Sequence, residues 1–223
     1  MAPAPPETRF SGATFPVDFV GDVVCPWCYL GWARLQAALA TRPEIGAQVA
    51  WRPFQLQFDI PDAGLPYAEF MAGLFPDAAR RRQMDERLAG LGAAEGLDFQ
   101  FDRIAVRPNT NAAHRVIRWA GPGGGDLGEA IMRAHFSEGR NIGDPDTLAG
   151  IVHEAGLDLG DVAARLRSGE DRRAVDQDCV AASRAGIGGV PFMIFAGRTA
   201  LSGAESPERI LYAVDKALEP PTP

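Results

Sequence analysis

The sequence predicts an α/β fold, because strand patterns occur near both ends of the chain and helical patterns fill the stretch between them. In the first third of the chain, two strand patterns flank one helical pattern, which is the order of a βαβ unit. Near the other end, two short strand patterns precede a final helix, which is the order of a ββα unit. A chain of this length buries roughly 70–75% of its unfolded surface. The core therefore needs no disulfide for its stability.

The βαβ unit begins with a strand over Phe15–Val24 and ends with a strand over Ala47–Phe58, and both alternate apolar and polar residues. A helix over Pro26–Leu39 lies between them. Pro26 suits the first helical position, because the N–H group that proline lacks would have no partner there. The sequence therefore places the start of this helix directly after Cys25.

The ββα unit is predicted from two short runs separated by a glycine turn and followed by a helix. Its elements are the strands Phe192–Phe195 and Thr199–Ser202, the turn Ala196-Gly197-Arg198 and the helix Pro207–Leu218. Ser206 before Pro207 is typical of a helix start. Residues 15–60 and 187–219 are expected to form one domain from these two units.

Residues 61–186 lack convincing strand patterns and are predicted to form an inserted helical domain. Its helices, which proline and glycine separate, are Tyr67–Leu74, Ala78–Glu95, Thr110–Ala120, Asp126–Ser137, Pro145–Ala155 and Val162–Leu166. A last helix over about 171–185 is expected to return to the first domain. The run Gly121-Pro122-Gly123-Gly124-Gly125 is predicted to be a flexible loop within the insertion.

The segment Cys25-Pro26-Trp27-Cys28 places two thiols one helical turn apart at the predicted start of the first helix. Residues three apart share a helix face, so these thiols can form and release a disulfide. The helix dipole and the unpaired N–H groups of the first turn favour a thiolate at Cys25, which makes Cys25 the expected nucleophile. Cys28, beneath Leu30 and Leu35, is expected to resolve the mixed disulfide formed with a substrate.

A structural zinc site is the main alternative use of two close cysteines. Such a site needs four Cys or His ligands, usually as two close pairs. The other candidates are Cys179, His114, His135 and His153, which form no second pair. The sequence therefore predicts no metal site, and a reversible disulfide is preferred over zinc binding or chance.

Val190-Pro191 follows a glycine-rich stretch and opens the apolar run Phe192–Phe195. Proline fits the start of a strand, where its missing N–H removes no ladder hydrogen bond. X–Pro bonds reach the cis state more easily than other peptide bonds, and a cis bond here would leave the backbone of Val190 free to pair with an extended substrate. Taken alone, this segment also fits an ordinary trans proline.

Several segments resemble one known family. They are Cys25-Pro26-Trp27-Cys28, Gly189-Val190-Pro191-Phe192, Trp51-Arg52-Pro53-Phe54-Gln55-Leu56, Arg107-Pro108-Asn109-Thr110-Asn111-Ala112-Ala113-His114-Arg115, Phe136-Ser137-Glu138-Gly139-Arg140-Asn141-Ile142 and Ser202-Gly203-Ala204. The first two resemble the DsbA-like branch of the thioredoxin superfamily. The others look like its FrnE-type subfamily, which is similar to 2-hydroxychromene-2-carboxylate isomerases and kappa-class glutathione transferases. The resemblance extends from about Phe15 to Leu218.

This resemblance implies a thioredoxin fold with a large helical insertion, and a cis-proline that faces an active disulfide. In the isomerase and transferase relatives, serine typically replaces the first cysteine and would stabilise a bound glutathione thiolate. This chain keeps both sulfurs, so the resemblance implies a thiol–disulfide oxidoreductase. Pro26, Trp27, Val190 and Pro191 are expected to contact its substrate.

Two other functions stay open. One is a glutathione-dependent isomerase or transferase of the 2-hydroxychromene-2-carboxylate isomerase type, and the other is a chaperone-like binder of unfolded chains. The expected partners are disulfide or dithiol substrates, either protein or small molecule. No bound cofactor is expected, while glutathione stays open as a co-substrate. The direction of the redox reaction and the formation of a homodimer are not determined by the sequence.

Asn109, Asn111 and His114 are the best polar candidates for a cleft outside the cysteine motif, because they surround the predicted start of a helix. Asn is also an ordinary helix-capping residue, so a structural role stays open. Asp22, three residues before Cys25, is expected to stabilise a turn, with a proton relay as the alternative.

The remaining histidines and the third cysteine are given structural roles. His135 and His153 are predicted to lie incidentally on surface helices. Cys179 shares an apolar helical stripe with Val175 and Ala182, so it is predicted to be a buried core residue. A regulatory or second disulfide is its alternative.

Charge and hydropathy exclude two classes of partner. A formal net charge of −7 gives no basic footprint for nucleic acid, and no apolar run approaches the roughly 20 residues of a membrane span. The segment Met1–Glu7 lacks the basic start and apolar centre of a secretory signal. A cytoplasmic location is therefore expected, where a disulfide would be transient and catalytic.

Overall fold

The computed structural model describes residues 14–220. The amino-terminal segment Met1–Glu7, on which the location prediction partly rests, lies outside these residues. The strands are β1 (Phe15–Gly21), β2 (Ala47–Pro53), β3 (Leu65–Pro66), β4 (Val106–Arg107), β5 (Phe192–Phe195) and β6 (Thr199–Ser202). The helices are α1 (Pro26–Ala40), α2 (Tyr67–Leu74), α3 (Ala78–Ala94), α4 (Asn111–Trp119), α5 (Gly124–Phe136), α6 (Pro145–Glu154), α7 (Val162–Arg167), α8 (Arg172–Arg184) and α9 (Pro207–Leu218).

The main sheet has the strand order β2-β1-β5-β6. β1 pairs in parallel with β2, as a βαβ unit requires, and pairs antiparallel with β5. β5 and β6 form the antiparallel hairpin of the ββα unit, in the register Phe195↔Thr199. The predicted α/β fold with a thioredoxin-type sheet and a large helical content is therefore confirmed.

The first two strands end earlier than predicted. β1 stops at Gly21, because the chain turns there and the backbone N–H of Cys25 donates to the carbonyl of Asp22 at 3.0 Å. β2 stops at Pro53, after which the N–H of Phe54 donates to the Gly21 carbonyl at 3.0 Å. The two strand ends are thus tied together immediately before the cysteine motif.

An aromatic cluster joins the sheet to α1 and α5. Phe19 of β1 lies with its ring centroid 5.1 Å from that of Trp32 and 5.2 Å from that of Trp51. The indole N–H of buried Trp32 donates to the carboxylate of Glu129 on α5 at 2.9 Å. This cluster fixes α1, and with it the cysteine motif, against the sheet.

The glycine-rich run at 121–125 is not the flexible loop that the sequence predicts. Gly121–Gly123 form a 3-10 turn, and Gly124 and Gly125 are buried in the first turn of α5. A Cβ on Gly124 would lie 2.7 Å from the carbonyl oxygen of Ile117, and a Cβ on Gly125 would lie 2.3 Å from Cη2 of Trp32. These glycines permit close packing, which a compositional pattern does not distinguish from a linker.

The stretch between β2 and β5 contains the predicted helices, but the expectation that it lacks strands is wrong. β3 and β4 form a two-stranded antiparallel ribbon that pairs Leu65 with Arg107 and Pro66 with Val106. Strands of two residues are too short to show an alternating pattern. α8 packs against β2 and α4, so the last helix of the insertion returns to the sheet. The domain boundaries at residues 61 and 186 stay a prediction.

Within residues 14–220, no helix has both the length and the apolar character needed to cross a bilayer.

Replacing Gly125 with alanine should destabilise the fold, because the new methyl group would displace Trp32. We expect a loss of about 1–3 kcal/mol in the free energy of unfolding, which is typical of overpacking. Gly90→Ala is the matched control, since it makes the same change in α3 where nothing lies within 4 Å of the added Cβ. That control should gain about 0.5–1 kcal/mol. Urea unfolding measures both, and equal stability of the two variants would contradict the packing argument.

Candidate active site

The cysteine motif lies where the sequence places it, at the start of α1. Cys25 is the N-cap residue and Pro26 is the first helical residue. The backbone N–H of Cys28 donates to the Cys25 carbonyl at 2.9 Å, which closes the first turn. Cys25 is 5% exposed and Cys28 is fully buried beneath it. All three cysteines are free thiols in this structure.

Val190 and Pro191 face the motif from the strand side. The Val190–Pro191 peptide bond is cis, and the Sγ atom of Cys25 lies 3.7 Å from the Val190 carbonyl oxygen. Pro191 is buried against α1 at Gly31, where an added Cβ would lie 2.8 Å from the proline ring. Residues 165 positions apart in the sequence therefore meet at the Cys25 thiol.

Pro26 and Trp27, the residues between the cysteines, are half-buried. The Trp27 side chain packs partly against the main core while keeping some exposure. Two apolar side chains in the loop after β2 are more open, since Leu56 is 40% exposed and Phe58 is 49% exposed. Leu56 belongs to the surroundings of the motif, because its backbone N–H donates to the Asp22 carboxylate at 2.9 Å.

The predicted cleft residues Asn109 and Asn111 are buried and have partners inside the fold. The Asn109 side chain accepts from Gln55 at 3.2 Å and donates to the Ile60 carbonyl at 2.6 Å. The Asn111 amide donates to Asp176 on α8 at 2.7 Å. Both amides therefore tie the start of α4 to neighbouring segments rather than to the cysteine motif.

His114, the third predicted cleft residue, contacts Asp22 beneath the motif. Its Nε2 atom lies 3.4 Å from Asp22 Oδ1 and 3.1 Å from the Phe54 carbonyl oxygen. The indole N–H of Trp51 donates to His114 Nδ1 at 3.3 Å. An indole N–H can only donate, so the network assigns the ring proton of His114 to Nε2.

Asp22 is almost completely buried and does more than stabilise a turn. Burial opposes its ionisation, but the contact with His114, the charge of Arg107 and the N–H of Leu56 outweigh burial. Together they hold the pKa of Asp22 below its ordinary value. Asp22 therefore carries a negative charge beneath the motif at neutral pH.

The surroundings of Cys28 disfavour its thiolate form. Burial, the neighbouring Cys25 thiol and the charge of Asp22 raise the pKa of Cys28 well above its ordinary value. Its Sγ atom lies close to the strand end, 3.4 Å from where a Cβ of Gly21 would be. Cys28 is therefore held as a neutral thiol in the reduced protein.

Arg107 is a charged neighbour of the site that the sequence analysis did not single out. It is 5% exposed, and its Nη1 atom lies 3.4 Å from the carbonyl oxygen of Val24, the residue before Cys25. Arg107 is the last residue of β4, in the β3–β4 ribbon between β2 and β5. The only sequence signal is its position beside the predicted cleft residues, at the start of the run 107–115.

The prediction that His135 lies on a surface helix is wrong, because it belongs to the buried face of α5 and is 1% exposed. Burial, followed by the positive charge of Arg107, lowers the pKa of His135 to about 4. The imidazole is therefore neutral at physiological pH. His153 is exposed, as predicted.

The core assignment of Cys179 is confirmed, since the residue is fully buried on α8. Burial, with smaller contributions from nearby aspartates, raises its pKa to about 12. Within residues 14–220, no group of three or more His, Cys, Asp or Glu side chains is arranged to hold a metal ion.

Comparison with known proteins identifies the family. A family model described as a DSBA-like thioredoxin domain matches residues 16–215. A solved structure of a probable DsbA oxidoreductase from Streptomyces coelicolor is similar, with a TM-score of 0.83 and 29% identity over 94% of this chain and 92% of that chain.

Two further solved structures share the fold. The cytosolic disulfide reductase DsbM from Pseudomonas aeruginosa with GSH gives a TM-score of 0.64 at 24% identity, over 91% of this chain and 95% of that chain. A 2-hydroxychromene-2-carboxylate isomerase gives a TM-score of 0.66 at 19% identity, over 91% of this chain and 94% of that chain. At these identities the likeness concerns the fold alone, and it agrees with the branches named from the sequence segments.

Native-state alkylation should separate Cys25, which is 5% exposed, from the fully buried Cys179. We expect iodoacetamide to modify Cys25 of the reduced protein while Cys179 stays unmodified, because Cys179 is buried as a neutral thiol. Peptide mass spectrometry measures each site, and labelling in denaturant provides the control in which all three cysteines react. Fast labelling of Cys179 in the folded protein would show that its burial is wrong.

Acid should destabilise the protein through His135. Its folded pKa is about 4 against an ordinary value of 6.5, so the unfolded chain binds the extra proton between these values. The stabilisation is complete above about pH 6.5 and is lost as the pH falls towards about 4, by up to about 1.4 kcal/mol per pH unit. Urea unfolding at several pH values measures this slope.

His135→Gln should flatten that slope, because glutamine does not titrate. The exposed histidine gives a matched control, and His153→Gln should keep the wild-type slope. A slope unchanged in His135→Gln would assign the acid sensitivity to another group.

Proposed function

This chain belongs to the DSBA-like thioredoxin domain family, and we propose that it is a thiol–disulfide oxidoreductase. Cys25 is the proposed nucleophile and Cys28 the proposed resolving thiol. The observation that carries the proposal is the difference in position and burial between the two cysteines. Cys25 lies at the helix N-terminus beside Val190, and Cys28 lies buried one turn below it.

In the first proposed step, the Cys25 thiolate attacks one sulfur of a substrate disulfide. A bond forms between Cys25 and that sulfur, the substrate S–S bond breaks, and the second substrate sulfur leaves as a thiolate. The start of α1 favours the anionic form of the attacking sulfur, because the first-turn N–H groups and the helix dipole point at it.

In the second step, Cys28 loses its proton and attacks Cys25. The Cys25–substrate bond breaks, the remaining substrate sulfur leaves as a thiolate, and the two substrate thiolates take up protons. Two electrons have then passed from the protein dithiol to the substrate, and the protein holds a Cys25–Cys28 disulfide. Reversal of the same steps oxidises a dithiol substrate.

Val190 and Pro191 are proposed to present the substrate backbone to this disulfide, with Pro26 and Trp27 as further contacts. The support is the 3.7 Å separation between Cys25 Sγ and the Val190 carbonyl. The exposed Leu56 side chain near the motif suits a substrate with apolar groups, which favours polypeptides over a small polar disulfide.

Glutathione is proposed as a co-substrate, since it is a thiol of the required chemical class. Its reduced form would reduce the Cys25–Cys28 disulfide, and its disulfide form would oxidise the dithiol. Isomerisation with bound glutathione needs no second thiol, so the position of Cys28 beneath Cys25 favours disulfide exchange over the isomerase alternative. A cytoplasmic setting and a homodimer remain predictions.

The proposal is tested by equilibrating the protein in glutathione buffers and reading thiol alkylation by intact mass. The wild type should show a reversible two-electron transition. Cys28→Ser should accumulate a mixed disulfide on Cys25, while Cys25→Ser should form neither species, because each variant lacks one of the two sulfurs. Cys179→Ala is the control for loss of a buried thiol, and it should keep the wild-type transition.

Two results would contradict the assignment. Disulfide exchange at the wild-type rate in Cys25→Ser would exclude Cys25 as the nucleophile. A stable glutathione adduct on wild-type Cys25, without any intramolecular disulfide, would favour the glutathione-dependent isomerase.

A further inference from the structure

Arg107 is a buried cation that forms no salt bridge with a carboxylate of residues 14–220. The side chain is 5% exposed, and none of the ion pairs formed by residues 14–220 within 4 Å includes it. A buried charge is costly to desolvate unless a partner compensates it. The position of Arg107 therefore calls for an anionic group at or near the site.

The surroundings of Arg107 hold its guanidinium in one place. Nη1 lies 3.4 Å from the Val24 carbonyl, Nη2 donates to the side chain of Gln57, and the ring centroid of Phe70 is 5.1 Å from the guanidinium carbon. Each of these contacts is neutral. The Nε atom is buried and has no hydrogen-bond partner.

The titratable neighbours of Arg107 are Asp22, Cys25, Tyr67 and His135. Burial is the main cause that raises the pKa of Tyr67 to about 12. Burial is also the main cause that lowers the pKa of His135 to about 4. Both side chains are therefore neutral between about pH 5 and 9. Asp22 is ionised in this range, but its carboxylate lies beyond salt-bridge distance of the guanidinium and has His114 and Leu56 as nearer partners. Cys25 is the remaining neighbour that can become an anion.

We infer that Arg107 is the fixed counter-charge of the Cys25 thiolate, which makes it a positioning residue for the proposed reaction. The guanidinium acts from beside Val24, the residue that precedes Cys25. This inference rests on the proposed function, since it concerns the form in which Cys25 would react.

Arg107 and Asp22 then act on different thiols. The cation favours negative charge on Cys25, while the carboxylate of Asp22 disfavours it on Cys28. Opposite environments of this kind divide the roles of two chemically identical groups. Stabilising the Cys25 thiolate also stabilises the reduced protein relative to its disulfide, which makes the disulfide a stronger oxidant.

The test compares the alkylation rate of Cys25 in reduced wild type and in variants, with neutral iodoacetamide between about pH 5 and 9. Arg107→Gln should react about tenfold more slowly at about pH 6, because the variant loses the buried positive charge that favours the thiolate. Arg107→Lys keeps the charge but lacks the planar guanidinium group, so its alkylation rate should fall between those of wild type and Arg107→Gln. The difference should persist in about 1 M KCl, because buried pairs are weakly screened.

Arg115→Gln is the matched control. Arg115 is also buried, but its guanidinium donates to the backbone carbonyls of Arg165 and Leu166 at 2.9 and 3.1 Å, and its charged neighbours do not include the motif cysteines. This variant loses a buried arginine and should keep the wild-type alkylation rate at each pH. An equal decrease in both variants would assign the effect to general destabilisation and overturn the inference.

A second readout is the oxidised fraction in glutathione buffer, which should be higher in Arg107→Gln than in wild type at the same ratio of thiol to disulfide.

If circular dichroism shows that Arg107→Gln does not fold, Arg107→Lys and Gln57→Ala decide the question. Gln57→Ala removes one hydrogen bond from the guanidinium and should slow alkylation about twofold to threefold. Unchanged alkylation in the folded variants overturns the inference.

The two proposals fail in different ways. A wild type that forms no reversible disulfide would reject the oxidoreductase function, while the alkylation comparison would still show whether Arg107 stabilises the thiolate. A wild type that cycles normally, with Arg107→Gln alkylated at the wild-type rate, would reject only the inference about Arg107.

Discussion

The carboxylate of Asp22 joins three separate segments of the chain beneath Cys25 and Cys28. It accepts the N–H of Leu56 from the loop after β2 and lies 3.4 Å from Nε2 of His114 on α4. The backbone carbonyl of the same residue holds the N–H of Cys25. One buried acidic residue therefore fixes the end of β1, the start of α1 and the position of the inserted helices relative to both. The charge that Asp22 contributes to the site follows from this structural position.

The helical insertion takes part in the site rather than only covering it. It supplies His114 from α4, which lies 3.4 Å from Asp22, and Arg107 from the β3–β4 ribbon, which lies 3.4 Å from the Val24 carbonyl. Two polar neighbours of the cysteine motif thus come from residues outside the βαβ and ββα units. A sheet and α1 alone would place the sulfurs but would not surround them with these charges.

Close packing at two glycines positions the helix that carries the cysteine motif. Gly31 lets Pro191 lie against α1 beside the motif, and Gly125 lets α5 approach the ring of Trp32. Both contacts pack α1, the helix that carries Cys25 and Cys28, against neighbouring elements. Defined sulfur positions suit disulfide formation, because a disulfide tolerates only a narrow range of geometry.

The sequence by itself determined the order of the main strands and helices, the start of α1 at Pro26 and the burial of Cys179. These features depend on local patterns, namely apolar periodicity, proline at a first helical position and glycine at turns, which neighbouring residues encode directly. The strand ends, the buried positions of Gly124 and His135 and the placement of Arg107 followed only from the tertiary structure. Arg107 meets the Val24 carbonyl across 83 positions of sequence, and such contacts depend on how whole elements pack. The cysteine motif was therefore recognisable from the sequence, whereas the charges around it were decided by the fold.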